Sequence, residues 1–151
     1  MKRTVSASPA WKKFAELPEL TIEAGIFEEQ GAEVKQVEEG SSDLKLIDIA
    51  NIHEFGAGDI PARSFVRAWF DENEERIQQV LLERLTKNGP DKLEQALEQV
   101  ALWVQADMRR RVRKRIPPPL KPETIKRKKS SVPLVDTGQL VAAIMAKVSA
   151  K

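Results

Sequence analysis

The chain has 151 residues, 32% of them charged and only 5% aromatic, with a formal net charge of +2. The absence of Cys and Tyr and the single His exclude a disulfide framework, a thiolate metal site, a Cys nucleophile and a histidine metal cluster within one chain. No apolar run approaches the roughly 20 residues that span a bilayer, so no membrane partner is expected.

Residues 1–10 read as a flexible leader. They start basic and lack an apolar stretch, so no secretory signal is expected and a cytoplasmic site of synthesis follows. Trp11 and Phe14 make a short i, i+3 apolar spacing closed by Pro18. Leu20, Ile22 and Ala24 alternate, which predicts a strand near residues 19–27. Residues 28–42 are acidic and polar, and read as a solvent loop or a poorly ordered hairpin. A short helix is expected over 44–55, with Asp43 as N-cap and Gly56 as a left-handed C-terminal residue. A turn-rich connector follows, and Phe65, Val66, Trp69 and Phe70 then form a dense apolar set, either all core or divided between the core and a neighbour's surface.

The first main helix is expected over about 71–88. Asp71 would cap it, Glu74 would close a capping box, and Asn88-Gly89-Pro90 would stop it. Ile77, Val80, Leu81 and Leu85 fall on one face. A second helix over about 91–115, capped by Asp91, follows from Leu93, Ala96, Leu97, Val100, Val104 and Met108. Residues 116–132 are basic and Pro-rich and should be extended, with one or two helical turns near 122–129. Asp136-Thr-Gly-Gln139 offers a cap for a short helix over about 137–144. A terminal strand over 145–150 would pair with residues 20–27. The expected fold is a single α+β domain over 1–151, a small antiparallel sheet packed with two main helices, short helices and long ordered loops.

The small net charge hides an asymmetry. Residues 1–108 hold 12 basic and 21 acidic side chains, whereas residues 109–129 hold 11 basic and one acidic. Arg109, Arg110, Arg111, Arg113, Lys114 and Arg115 crowd one helix end, where like charges at i, i+4 repel unless something compensates. Acids of the same body, an acidic protein partner or phosphates can compensate. Interleaved aromatics for base stacking and recognised DNA-binding motifs are missing, which favours protein over DNA.

Catalysis is not expected. His53-Glu54 resembles an acid/base pair, but no nucleophile elbow accompanies it, and His53 reads as a half-buried helix-end or interface residue. Asp43, Asp48, Glu54 and Asp59 lack calcium-loop spacing and read as solvated acids. Gly56-Ala-Gly58 lacks the Gly-Lys-Ser/Thr of a phosphate loop and reads as a tight turn. No cofactor or metal is called for.

Two segments carry a family resemblance. Ile52-His-Glu-Phe-Gly-Ala-Gly-Asp-Ile-Pro-Ala-Arg-Ser-Phe-Val-Arg67 resembles the E-F-G-x-x-x-x-P-A-R-P-F-L-R segment of tail-completion, neck and virion-morphogenesis proteins of long-tailed bacteriophages. Pro133-Leu-Val-Asp-Thr-Gly-Gln-Leu140 resembles the P-L-x-D-T-G-x-L segment near the C-terminus of the same proteins, and Thr124-Ile-Lys-Arg-Lys128 resembles their T-x-x-x-K lead-in. Ser64 stands where the family usually has Pro, and Ala68-Trp69 where Pro-Ala or Pro-Thr is common.

The resemblance implies a structural protein without enzymatic activity. It would form a homo-oligomeric ring, of six or twelve copies, around the DNA channel at the head–tail junction of the virion, after assembly in the host cytoplasm. Its partners would be a portal, adaptor or stopper protein on the head side and a tail terminator or tail tube protein on the other. Channel DNA could also touch it. The alternatives are a tail terminator ring, or a nucleic-acid-binding module using residues 109–129. The motif residues matched are Glu54, Phe55, Gly56, Pro61, Ala62, Arg63, Phe65 and Arg67, then Pro133, Leu134, Asp136, Thr137, Gly138 and Leu140. With the apolar and basic sets, they define an expected assembly interface of Glu54, Phe55, Arg63, Phe65, Arg67, Trp69 and the basic residues 109–111 and 113–115. Gly56, Pro61, Asp136, Thr137 and Gly138 are expected to hold the backbone. Across copies, the basic helix end would meet acidic residues of a neighbour.

Overall fold

The sequence's strongest helical periodicity becomes the centre of the molecule. In chain order the elements are β1 (Leu20–Gly25), α1 (Glu28–Gly31), α2 (Leu46–Phe55) and α3 (Arg67–Asn88). A 3-10 turn (Pro90–Lys92) leads to α4 (Leu93–Arg113), followed by α5 (Pro122–Arg127), α6 (Gln139–Ala143) and β2 (Met145–Ala150). The computed structural model describes residues 19–31, 45–114, 116–127, 134 and 138–150. The leader 1–10, the Asp43 cap, Arg115 and the Asp136-Thr137 pair lie outside the described residues.

Helix α4 buries Ala96, Leu97, Val100, Ala101, Val104, Met108 and Val112, a stripe that keeps to three- and four-residue steps. One flank packs against α3 and another against the sheet. The core joins this stripe to Phe65, Trp69, Ile116, Leu134, Leu140, Val141 and Ile144. Val66 and Phe70 pack half-buried against it, so all four apolar residues of the 65–70 set serve this chain's own core.

The expected α+β class is the observed one. Strands β1 and β2 pair antiparallel, from Leu20 opposite Ala150 to Gly25 opposite Met145. Glu23 lies opposite Lys147, with Nζ and Oε2 3.9 Å apart, and Lys147 sits 4.2 Å over the Phe27 ring. Opposite charges across a pair favour this register.

Several local expectations are corrected. The first main helix begins at Arg67, and Asp71 lies inside it rather than capping it. Asp91 does not cap α4 either, because Pro90 starts a 3-10 turn and the helical N-cap falls on Lys92 without a side-chain bond. Helix α4 ends at Arg113, where Lys114 turns extended at φ −76° and ψ 155°. Residues 28–31 form a short helix where a loop or hairpin was expected. Gly56 has φ 79° and ψ 158°, a glycine conformation outside the left-handed helical region.

Candidate assembly interface

The first motif is organised by one buried carboxylate. Glu54 ends the buried face of α2, and its side chain reaches the start of α3. Its Oε2 accepts the Phe65 and Val66 N–H groups at 2.8 and 3.0 Å. Its Oε1 accepts the Arg67 N–H at 3.0 Å and the Ser64 hydroxyl at 2.6 Å. Ser64 Oγ in turn accepts the Ala68 N–H at 3.1 Å. A helix start leaves its first N–H groups without partners, and its dipole favours an anion there. Glu54 supplies both from a remote position. Burial alone pushes the Glu54 carboxyl up, but the Ser64 hydroxyl and the Val66, Arg67 and Phe65 N–H groups outweigh it. The net pKa lies below the ordinary glutamate value. The reading of Glu54 as a solvated acid is therefore corrected.

The loop between these two helices is closed at several levels. The Arg63 N–H donates to the His53 carbonyl at 2.6 Å, and Ala57 and Ile60 exchange backbone bonds at 2.9 and 3.0 Å. This is the tight turn expected of Gly56-Ala-Gly58, with Gly58 at φ +53°. A Cβ on Gly56 would lie 3.0 Å from the Ala62 nitrogen and 3.1 Å from the Ile60 oxygen. Arg63 is buried, and its guanidinium donates from Nε to the Pro118 carbonyl at 2.8 Å and from Nη2 to the Pro119 carbonyl at 3.3 Å. Burial draws its pKa down. It clasps the segment after α4 to the loop before α3, across a cis Pro117–Pro118 bond.

The basic helix end divides its charges among internal tasks. Arg109 donates to the Ile144 and Ala142 carbonyls at 3.0 and 2.8 Å, where α6 ends. One turn earlier, Gln105 Oε1 accepts the Ala146 N–H at 3.0 Å. Arg110 pairs with Asp107 at 2.7 Å, and Asp107 also accepts the Trp69 indole N–H at 2.9 Å. Arg111 forms a two-pronged ion pair with Glu72 on α3, and its guanidinium holds the Glu72 carboxyl below the usual range. Compensation thus comes from this chain's own acids, one of the possibilities open in the sequence. Arg113 and Lys114 are exposed at the helix end.

The expected interface set therefore splits. Glu54, Arg63, Phe65 and Trp69 are buried in their own chain. Arg109, Arg110 and Arg111 hold internal partners. Phe55 and Arg67 face outward together, the guanidinium carbon 5.8 Å from the ring centre. Pro61 is exposed on the loop, and Gly138 is the N-cap of α6 in the left-handed region, at φ 84° and ψ −5°. Ser64, Gln105, Asp107 and Glu72 complete these bonds within the chain, and the sequence reading does not single them out. The signal that could have flagged Ser64 is its position just before an apolar helical set, the usual place of a capping hydroxyl.

Among the described residues no cluster of His, Cys, Asp or Glu is arranged to hold a metal, and no helix is long and apolar enough to cross a membrane. No family model, no curated protein and no solved structure matches this chain.

Proposed function

We propose that this chain is a structural head–tail joining protein of a tailed bacteriophage or prophage, acting by assembly as a ring at the neck. The observation that supports it most is where the two motif segments lie. Phe65 from the first and Leu134 and Leu140 from the second share one buried core, although about 70 residues separate them. Two of the first motif's charged members, Glu54 and Arg63, are buried and fix the loop between them, and the third, Arg67, is exposed beside Phe55. Part of the set that carries the resemblance, Glu54, Arg63, Phe65, Leu134 and Leu140, thus shapes this fold, while Phe55, Pro61, Ala62 and Arg67 stand exposed. A Glu54 carboxylate held by three N–H groups and a hydroxyl is ill suited to act as a general base, which agrees with a non-enzymatic role.

Inactivating the gene in the encoding phage tests the reading. Heads and tails are expected to accumulate unjoined in negative-stain images, and joined virions in normal numbers would refute it. The exposed cations Arg113, Lys114, Lys121 and Lys126 favour a second reading, contact with nucleic acid. That reading predicts filter binding of duplex DNA that falls steeply with salt, and is dropped if none binds at low salt.

A further inference from the structure

Phe55, Ile60, Leu82, Leu102 and Ile125 are the exposed large apolar side chains of the described surface. Phe55 is 65% exposed and Ile60 43%, both on the loop 55–62, where Ala57, Pro61 and Ala62 are exposed as well. This loop is held at its base by the Arg63–His53 backbone bond, at its tip by the Ala57–Ile60 pair, and at its flanks by buried Glu54 and Arg63. It presents an apolar projection whose shape is set beforehand, so docking it carries little ordering cost. The Arg67 guanidinium stands beside it.

Helix α3 carries a complementary surface. Positions 71, 74, 75, 78, 81, 82 and 85 follow the three- and four-residue steps of one stripe. Toward its C-terminal end Leu82 is 66% exposed, flanked by half-buried Leu81 and Leu85. Toward its N-terminal end stand the exposed carboxylates Asp71, Glu74 and Glu75. Glu75 and Leu82 are seven residues apart, roughly 10 Å along the helix. The stripe thus runs from carboxylates through Gln78 to an apolar end, and the loop is apolar except for the exposed Asp59, with the Arg67 cation to one side. Within one copy they are kept apart, since Arg67 and Leu82 lie 15 residues along the same helix, roughly 22 Å.

We propose that the loop 55–62 of one copy docks on the α3 stripe of a second copy. Phe55 and Ile60 cover Leu82 there, and Arg67 faces that copy's Glu74 and Glu75. Two different surfaces meet, so the contact is heterologous and passes from copy to copy, as a closed ring requires. It deepens the ring reading above and rests on that reading for its biological use.

Sedimentation velocity on the purified full chain over a range of concentrations tests the contact. The parent is expected to form oligomers larger than dimers. Phe55→Glu and Leu82→Glu should each be monomeric, with melting temperatures within about 2 °C of the parent, since both sites are exposed. An equimolar mixture of the two variants should give heterodimers and nothing larger. The Leu82→Glu copy keeps an intact loop and the Phe55→Glu copy an intact stripe, so one contact survives. A parent that is monomeric or stops at dimers, a variant that assembles like the parent, or a mixture that stays monomeric overturns the proposal. Should either charged variant fold poorly, the absence of native Cys permits a second measurement. Copies with Ile60→Cys mixed with copies carrying Leu82→Cys should oxidise to mixed disulfide dimers in excess over either self-pair, and no such excess overturns it. Phage that join heads to tails without the gene would remove the functional reading and leave this contact standing. A protein that never associates would remove the contact and leave the gene-inactivation result untouched.

Discussion

Among the described residues, the Glu54 side chain alone accepts three backbone N–H groups and a hydroxyl. Removing it leaves the N–H groups of Phe65, Val66 and Arg67 without their acceptor, one of them fully buried. Glu54→Ala should therefore cost about 3 kcal/mol, and melting should fall by roughly 6–12 °C. The pH dependence has a definite sign. A carboxyl whose folded pKa lies below its unfolded value, about 4.3, contributes fully above that value and loses its contribution as pH falls through the folded pKa. Chemical denaturation between pH 6 and pH 3 should show this loss in the parent and a flatter profile in Glu54→Gln. Gly56 makes a second test. Any Cβ there meets backbone at 3.0 and 3.1 Å in a conformation closed to other residues, so Gly56→Ala should lower stability by about 1–3 kcal/mol in urea titrations.

At the scale of elements, the helices were legible where their signal was local. The α4 stripe is periodic over its whole length, and the observed boundaries fall within two residues of those expected. The start of α3 was not legible, because its cap comes from Glu54, ten residues before Ser64, and capping rules search only within one turn. Asp71 and Asp91 fit those rules in type but not in place. Arg63 gave no sign of burial, since its acceptors are backbone carbonyls more than fifty residues away. The basic helix end read as an outward-facing charge for a related reason, as Glu72 lies on another helix. These placements lead to contrasting expectations. Arg109→Ala breaks two charge-assisted bonds to the end of α6 and should cost about 1.5–3 kcal/mol, with faster amide exchange at the start of β2. Arg111→Ala breaks an exposed, solvent-screened pair and should lower the melting temperature much less than Arg109→Ala does.

Across the whole molecule, the charge asymmetry acquires a structural meaning. The acidic body and the basic end are partly joined within one copy, through Asp107 and Glu72, which leaves Arg113 and Lys114 as the outermost cations of α4. Reversing those two to Glu should leave the melting temperature within about 2 °C of the parent, because neither supports the core. Trp69 makes the opposite case. It is 1% exposed, meets Phe70 edge to face and Trp103 at a tilt, and donates to Asp107, so Trp69→Ala should cost about 3–5 kcal/mol and threaten folding altogether.

The pairing of β1 with β2 has a consequence in time. Thr21 and Ser149 touch across 128 residues of chain, so the sheet cannot close until β2 has been made. Until then β1 waits without a partner, and the flank of α4 that the sheet will cover stays open. During that interval the α3–α4 hairpin, built from local contacts, must hold its own shape, and the emerging chain is at its most vulnerable to association with its neighbours.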